Sequence, residues 1–232
     1  MKIAIDLHIH SALSPCSDDD MTPNNIVNMA VLNGLDAIAI TDHNSCDNVE
    51  SVMKAAEGRI IVIPGMELQT IEEVHLLSYF TDLYSLLAFS EDLEQYYDGS
   101  PNRPEFFGHQ LIMDEKDEII GEKKQALITS LLLTFDKAVE LIREYKGLPV
   151  PAHINKPSYS VLSQLGFLPP DLGLSLIEYS RNHPIDFQKY PECNFFFSSD
   201  AHFLGHILGR NMTIFVESLT INGVLQGLIK RP

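Results

Sequence analysis

Histidines and acidic residues recur at the ends of apolar segments along the whole chain, and this recurrence constrains the fold more than any other feature. Six of the nine histidines fall in five short clusters together with several carboxylates. The clusters are His8-Ile9-His10 with three aspartates at 18–20, Thr41-Asp42-His43, Gly65-Met66-Glu67 with His75, Ala152-His153, and Ser199-Asp200-Ala201-His202. Imidazole and carboxylate together suit first-row metals such as zinc, manganese and iron. Because these candidate ligands are too many for one ion, the sequence predicts two or three divalent ions in one site.

Alternating strand and helix patterns predict an α/β fold. Apolar stretches predict strands at residues 2–9, 35–41, 59–63, 74–80, 148–152, 174–178, 194–198 and 212–216, and helical patterns occur at 22–32, 47–57, 129–145 and 221–229. The apolar character of the strands is continuous rather than alternating, which indicates a parallel sheet covered on both faces. Strands that are mostly followed by helices close most economically as a barrel. Most clusters fall at or just past the carboxyl ends of strands, where barrels and open α/β sheets build their sites.

A polar segment at residues 91–122 interrupts this alternation. It is rich in acids and contains a candidate hairpin with strands at 110–113 and 118–120. It holds too few apolar residues for a core of its own, so we interpret it as an inserted lid or hairpin rather than a domain. The chain is therefore expected to form a single domain over residues 1–232.

The charge balance and the cysteine content bear on partners and compartment. The chain has 32 acidic and 16 basic residues, a formal net charge of −16. Since an acidic surface repels a phosphate backbone, we expect a small phosphorylated substrate, drawn to locally positive metal ions, and not long nucleic acid. No apolar run is long enough for a membrane span. The three widely spaced cysteines favour a reducing, cytoplasmic setting, and the sequence does not indicate an oligomeric state.

The clusters in the first third of the chain predict the centre of the metal site. His8 and His10 lie on one side of a strand because side chains alternate with a period of two, so both can reach one ion or two adjacent ions. An aspartate that follows can complete their ligand set. Asp18 is the first choice and Asp20 the second, although aspartates before a helix also serve as caps. Glu67, after a buried strand, is the best candidate to bridge two ions.

The remaining clusters extend the site along the chain. His43 follows an apolar strand, where coordination would satisfy a polarity that burial penalises. His153 ends another strand, and Asp200 with His202 repeats the period-two geometry in the last third of the sequence. His75 stands alone in an apolar strand, a place more often taken by a core histidine, and it is a candidate ligand only in company with the others.

The ordered motifs His-x-His, Asp, Thr-Asp-His, Gly-x-Glu, His, Ala-His and Ser-Asp-x-His resemble the polymerase and histidinol phosphatase superfamily, called the PHP domain. The resemblance covers nearly the whole chain. Within the superfamily, the chain looks like the small, free-standing metal-dependent phosphoesterases. It implies a distorted (βα)7 barrel, a trinuclear site of zinc, manganese or iron, and hydrolysis of phosphomonoesters or, in some members, nucleotides. The ligands that this match implies are His8, His10, Asp18, His43, Glu67, His75, His153, Asp200 and His202.

One stretch departs from the family pattern. The usual Ser-Asp-Gly after the paired histidines is replaced by Ser14-Pro15-Cys16-Ser17-Asp18-Asp19-Asp20, which lacks the glycine. The choice of carboxylate ligand therefore stays open among three aspartates. The same stretch places Cys16 near the ions, either as a spectator or as an extra ligand.

These observations predict a metal-dependent phosphoesterase for a small phosphate monoester, such as histidinol phosphate, a nucleotide or a sugar phosphate. The groups assigned to catalysis are His8, His10, Glu67, Asp200 and His202. Lys156 and Arg210 are candidate phosphate contacts, and each could equally be a packing residue. Asp6 and Asp42, which lie next to ligand histidines, are candidates for orienting them. Two alternatives stay open: a nuclease or phosphodiesterase on short oligonucleotides, and a non-catalytic metal-binding module.

Overall fold

The structure, a computed structural model that describes residues 1–230, is built around one curled sheet. The strands are β1 (Lys2–Ile9), β2 (Ala37–Ile40), β3 (Ile61–Gln69), β4 (His75–Tyr79), β5 (Leu111–Met113), β6 (Ile119–Glu122), β7 (Leu148–Pro151), β8 (Leu176–Glu178), β9 (Asn194–Phe196) and β10 (Thr213–Phe215). The helices are α1 (Pro23–Leu32), α2 (Val49–Ala56), α3 (Leu83–Leu93), α4 (Pro104–Phe107), α5 (Phe135–Glu144), α6 (Val161–Gln164) and α7 (Ile221–Ile229).

Six strands form the curled sheet in the order β10-β1-β2-β3-β4-β7. Strands β1, β2 and β3 are parallel, whereas β4 is antiparallel to both β3 and β7, and β10 is antiparallel to β1. The α/β class is confirmed, but the expectation of a wholly parallel sheet is wrong. A short turn at residues 70–74 joins β3 to β4, and so short a connection permits only antiparallel pairing.

The antiparallel members of the sheet bring residues that are distant in the chain to one edge. Strand β4 runs back from β3, so its first residue, His75, lies where β3 ends. Strand β7 reverses again, so His153, just after it, reaches the same edge. A parallel bridge between Ile9 and Ala201 joins the loop after β9 to the end of β1. Clusters from five parts of the sequence therefore meet at one edge.

Apolar side chains cover both faces of the sheet. On one face the helices contribute buried residues that include Ile26, Val52, Phe89 and Ile142. The other face is packed by residues that include Ile5, Leu7, Ile63, Leu77, and Val224 and Leu228 of α7. This burial on two sides is the reason that the strands occur in the sequence as continuous apolar runs.

Helix α3 does not correspond to any predicted element. The Asp82 side chain accepts a hydrogen bond from the Ser85 N–H and so caps its start. The helix buries Leu86, Phe89 and Leu93, spaced three and four residues apart along one face. Helix α5 likewise begins later than predicted, at Phe135, because Thr134 serves as its N-cap.

The polar segment at residues 91–122 packs across the loops that follow β1 and β2. Its hairpin, β5 with β6, occurs where the sequence predicted it. The Tyr97 hydroxyl donates to the Asn44 carbonyl oxygen at 2.6 Å, and the Leu111 N–H donates to the Ala12 carbonyl oxygen at 2.8 Å. At Gly108, with φ +99°, a Cβ atom would lie 2.0 Å from the Pro15 carbonyl oxygen, so only glycine permits this approach.

Within residues 1–230, no helix combines the length and the apolar character needed to cross a bilayer.

Candidate metal centre

The paired histidines of β1 and the loop after it occupy the middle of the edge. His8 Nε2 lies 3.2 Å from Glu67 Oε1 and 3.4 Å from Asp200 Oδ1. His10 Nε2 lies 3.4 Å from Glu67 Oε2 and 3.3 Å from the same Asp200 oxygen. The two Nε2 atoms are 3.2 Å apart. Both imidazoles therefore point at one carboxylate pair, as the period-two spacing predicts.

The Glu67 carboxylate is the point on which the cluster converges. It is buried, and five histidine nitrogens lie 3.0–3.4 Å from its two oxygens. These atoms are Nε2 of His8, His10 and His153 and Nδ1 of His43 and His75. Among the described residues, neither oxygen finds a hydrogen-bond donor in good geometry. A buried carboxylate without donors is costly unless a cation neutralises it, so this donor set fits divalent metal ions.

The ligand atoms fall into three overlapping groups, and within each group all of them lie within 4.8 Å of one another. The groups are His8 with His10, Glu67 and Asp200; His43 with Glu67 and His75; and His10 with His43 and His202. His153 joins them through its 3.3 Å approach to Glu67. The structure thus brings eight of the nine predicted ligands together around a shared glutamate.

The loop that carries Asp200 and His202 is held by backbone contacts to β1 and by Asp6. The His10 N–H donates to the Ala201 carbonyl oxygen at 2.9 Å. The two Asp6 carboxylate oxygens accept the N–H groups of Ser199 and Leu208, each at 2.9 Å. Asp6 therefore anchors the loop on both sides of Asp200 rather than contacting the cluster itself.

Two candidate ligands adopt backbone conformations that are rare for residues other than glycine. The φ angle is +52° at Asp200 and +28° at His153. Such conformations persist only where surrounding contacts enforce them, and they concentrate at functional sites. The His153 N–H donates to Glu178 Oε2 at 2.9 Å, one contact that holds this turn in place.

Hydrogen bonds on the far side of the imidazoles set which nitrogen faces the centre. His8 Nδ1 lies 3.1 and 3.2 Å from the two oxygens of Glu178, so this nitrogen carries the proton and Nε2 is free to bind metal. Ser14 Oγ donates to Asp42 Oδ1 at 2.7 Å and accepts from His10 Nδ1 at 2.9 Å, which fixes His10 in the same tautomer. Asp42 thus orients a ligand through Ser14.

Glu178 was not singled out in the sequence as a site residue. It ends the three-residue strand β8 and is buried beside His8. The nearest histidine, His183, lies five residues further on and belongs to none of the five clusters, so neither motif nor spacing marks Glu178. The one available signal was an acid at the end of an apolar run, the same signal that identified Glu67.

Two predicted site residues lie outside the cluster. Asp18 is exposed, and its Oδ1 accepts the Asp20 N–H at 2.9 Å, so it shapes the turn before α1. None of the aspartates at 18–20, nor Cys16, contributes to the ligand groups of the described residues. Arg210 hydrogen-bonds the Gly34 carbonyl oxygen and lies 3.3 Å from Asp36, which precedes β2. It is therefore placed at the opposite edge of the sheet.

A cavity of about 560 Å³ adjoins the cluster. Its lining includes His153, Glu178 and Asp200 and the cationic residues Lys156 and Arg181. The Lys156 ammonium group pairs with Asp200 Oδ2. The predicted phosphate contact Lys156 thus lies beside the cluster, in a cavity that also contains a guanidinium group.

The buried charges shift the pKa values of the cluster in opposite directions. Burial disfavours the charged form of Glu67, but His75 and His8 outweigh it and hold the pKa of this carboxyl well below its usual range. Burial likewise opposes the charged form of His10, yet Asp200 and Glu67 raise its pKa to about 9. Burial and the charge on His10 lower the pKa of His202 to about 4. The metal-free cluster therefore holds protons on some histidines while others are neutral.

Metal binding near neutral pH is expected to release protons, because His10 must be neutral to act as a ligand and its metal-free pKa is about 9. Metal affinity should therefore increase with pH through the pKa of His10 and beyond it, because His8 must also be neutral to bind and, against the effect of burial, the surrounding carboxylates hold its pKa well above its usual range. Calorimetry in buffers of different ionisation enthalpy counts the protons released on metal binding. We expect at least about one proton per protein molecule. His109→Ala, an exposed histidine outside the cluster, should leave the number unchanged. Binding without proton release near neutral pH would contradict the assignment.

Comparisons of sequence agree with this geometry. A family model described as the PHP domain matches residues 6–149, which is more than half of the chain. Among curated proteins, none matches the sequence.

Solved structures of low sequence identity share the fold. The lesion-specific endonuclease EndoQ from Pyrococcus furiosus matches 98% of this chain with a TM-score of 0.77 at 22% identity, and the chain spans 56% of that protein. A candidate metal-dependent phosphoesterase from Bifidobacterium adolescentis matches 97% of this chain and 94% of its own, with a TM-score of 0.62 at 16% identity. An amidohydrolase from Chromobacterium violaceum, with bound sulfate and no metal, matches 99% of this chain and 98% of its own, with a TM-score of 0.58 at 19% identity. These likenesses confirm the distorted barrel.

One of these comparisons overturns the expectation drawn from the net charge. A complex of endonuclease Q with a 27-mer duplex that has an abasic lesion at the active site matches 98% of this chain with a TM-score of 0.77 at 21% identity, and the chain spans 56% of it. Excluding long nucleic acid as a partner was therefore wrong. Net charge describes the long-range field, whereas the local potential at the site depends on nearby groups such as Lys156 and Arg181 and would become more positive with divalent ions bound.

Three observations support the same family assignment. They are the order of the motifs, the convergence of their side chains on Glu67 and the match of the family model. The chain belongs to the PHP domain family, a superfamily of metal-dependent hydrolases.

Proposed function

We propose that this chain hydrolyses phosphate esters at the Glu67 cluster, and that its substrate is a small phosphate monoester. The observation that carries the proposal is the position of the cavity. The cations Lys156 and Arg181 line it together with the candidate ligands His153 and Asp200. A dianionic phosphate is the group that this lining would bind once divalent ions were held at the cluster.

Glu67, Asp200 and the predicted histidines would hold two or three divalent ions. When bound, such ions lower the pKa of a coordinated water towards neutrality and neutralise charge on phosphoryl oxygens. Glu178 keeps Nε2 of His8 directed inwards, and Ser14 with Asp42 does the same for Nε2 of His10. The protein thus supplies candidate ligands whose orientation is set before metal binds.

Lys156 is suited to hold a phosphate oxygen. Its Nζ is half-buried beside Asp200. Burial opposes the charge on Lys156, but Asp200 outweighs it and raises the pKa of the ammonium group. Lys156 therefore stays a cation at any physiological pH. Since Asp200 is also a candidate metal ligand, a phosphate beside Lys156 would lie directly against the ions.

Cleavage of DNA is a second candidate, favoured by one observation. The fold of the endonuclease Q complex, which holds a duplex with an abasic lesion, extends over nearly all of this chain. The proposal of DNA cleavage requires the same ions and the same cavity. It differs only in what is attached to the phosphate.

A panel assay tests both candidates. Protein loaded with manganese, zinc or iron is incubated with an aryl phosphate, mononucleotides, sugar phosphates, single-stranded DNA and duplex DNA that carries an abasic site. We expect turnover of monoesters. Turnover of DNA alone would favour the second candidate, and metal-loaded protein without activity on any phosphate ester would overturn both.

Lys156→Gln is expected to lower kcat/KM for the best substrate of that panel about 100-fold, because it removes a preorganised cation from the phosphate. Metal content, measured by elemental analysis, should remain as in the wild type. Lys54→Gln, an exposed lysine of α2 that pairs with Glu50, is the matched control and should change neither quantity. Wild-type kcat/KM in the Lys156 variant would remove this residue from the site.

A further inference from the structure

One exposed aromatic side chain stacks directly on the cluster. Tyr159 is 43% exposed. Its ring lies 4.9 Å from that of His75, centroid to centroid, with 24° between the planes. His75 is itself nearly buried and contacts Glu67 at 3.0 Å. Tyr159 therefore covers one of the candidate ligand histidines and keeps part of its own surface in contact with solvent.

The backbone fixes this tyrosine rather than leaving it mobile. Its φ angle is +53°, an unfavourable conformation for an aromatic residue. The His75 N–H donates to the Tyr159 carbonyl oxygen at 2.9 Å. The next residue, Ser160, is buried, and its hydroxyl donates to the Lys156 carbonyl oxygen at 2.7 Å. Contacts on both sides thus maintain a strained turn that presents the ring.

The same loop carries the proposed phosphate contact. Lys156 lies three residues before Tyr159, and its ammonium group pairs with Asp200. Asn155 anchors the loop by donating to the carbonyl oxygens of Ser180 and His183 at 2.9 and 2.7 Å. One anchored loop therefore carries both a cation that contacts Asp200 and an aromatic ring that stacks on His75.

A role limited to shielding His75 does not account for the exposed ring. A shield is most effective when it is itself buried, and any apolar side chain could serve. Planar rings of a ligand stack on exposed aromatic side chains whose orientation is fixed.

We infer that Tyr159 is a specificity-determining residue, which stacks on a planar ring of the substrate and so selects phosphate esters that carry a nucleobase over those that carry only a sugar. This inference rests on the proposed function, since it concerns what is attached to the phosphate that the cluster cleaves. Free nucleotides and nucleotides within DNA share this chemistry.

The test compares adenosine 5′-monophosphate with ribose 5-phosphate, which have the same phosphate and sugar and differ only in the base. We expect the wild type to prefer the nucleotide by about tenfold or more in kcat/KM. Tyr159→Leu should reduce this preference towards one while retaining metal content and activity on ribose 5-phosphate, and Tyr159→Phe should preserve it. Tyr84→Leu, an exposed tyrosine of α3, is the control. If DNA is the better substrate, the same ratio is taken between a base-bearing and an abasic position.

The outcomes separate the two proposals. Hydrolysis of both compounds without preference in the wild type would overturn the role of Tyr159 and leave the phosphoesterase intact. An equal loss on both compounds in Tyr159→Leu, with an unchanged preference, would show that the ring only positions His75. Hydrolysis of no phosphate ester would overturn the proposed function itself.

Discussion

Replacing Glu67 with glutamine is expected to abolish metal binding at the cluster and, with it, all hydrolytic activity. Five histidine nitrogens surround this carboxylate at 3.0–3.4 Å, and two of the three ligand groups include it. The glutamine amide has the same shape but carries no charge. Metal ions held by the two ligand groups that include residue 67 would therefore lose the carboxylate that these groups share. The loss of metal affinity should exceed the roughly 10- to 100-fold that removing a hydrogen-bond partner of a metal ligand costs.

Metal content after dialysis and kcat/KM on the best substrate measure this effect together. Glu91→Gln, an exposed acid of α3, is the matched control because it makes the same chemical change far from the cluster. Circular dichroism of the metal-free proteins should show the same fold in both variants and in the wild type. A Glu67 variant that retains its full complement of metal would refute the shared-ligand role, and one that retains activity would refute the site.

The positions of the candidate ligand histidines could be predicted because the patterns that mark them are local. His8 and His10 share one side of a strand whatever the rest of the fold does. His43 and His153 follow apolar strands, where a polar group needs a partner. Each of these residues can be recognised from its own segment of sequence. The structure brings their side chains close together, as expected of residues at the ends of neighbouring strands.

Other parts of the site depend on contacts that no segment contains. The inward position of His75 depends on β4 running antiparallel to β3, and the continuous apolar runs favoured a parallel sheet. Asp18 was favoured by its place after the paired histidines, yet a local hydrogen bond to the Asp20 N–H directs its carboxylate into a turn. Arg210 follows the Asp-x-His motif closely in sequence, but the chain reaches the opposite edge of the sheet before it.

The net charge misled for a related reason. A formal charge of −16 is spread over the whole chain, whereas at the cavity beside the cluster the cations Lys156 and Arg181 balance the carboxylates of Glu178 and Asp200. Over distances longer than about 10 Å, salt screens the distant carboxylates, so the cavity responds mainly to its own groups. Partner classes therefore have to be argued from the site and not from the total charge.

Replacing Glu178 with glutamine is expected to lower metal affinity about 10- to 100-fold, the cost of losing a carboxylate that orients a metal-binding histidine. Both carboxylate oxygens lie within 3.2 Å of His8 Nδ1, and Oε2 also accepts the His153 N–H. Glutamine can offer only one acceptor, so its amide N–H must face a donor on one of the two histidine residues. The tautomer of His8 or the turn at His153 is then no longer enforced.

Excess metal distinguishes this orienting role from direct participation in catalysis. If Glu178 acts through His8, kcat/KM of the Glu178→Gln variant should return towards the wild-type value as the metal concentration increases, and the pH at which metal binding is half-maximal should shift. Glu217→Gln, an exposed acid that pairs with Lys230, should behave as the wild type throughout. A defect that persists at saturating metal would instead place Glu178, which also lines the cavity, in contact with the substrate.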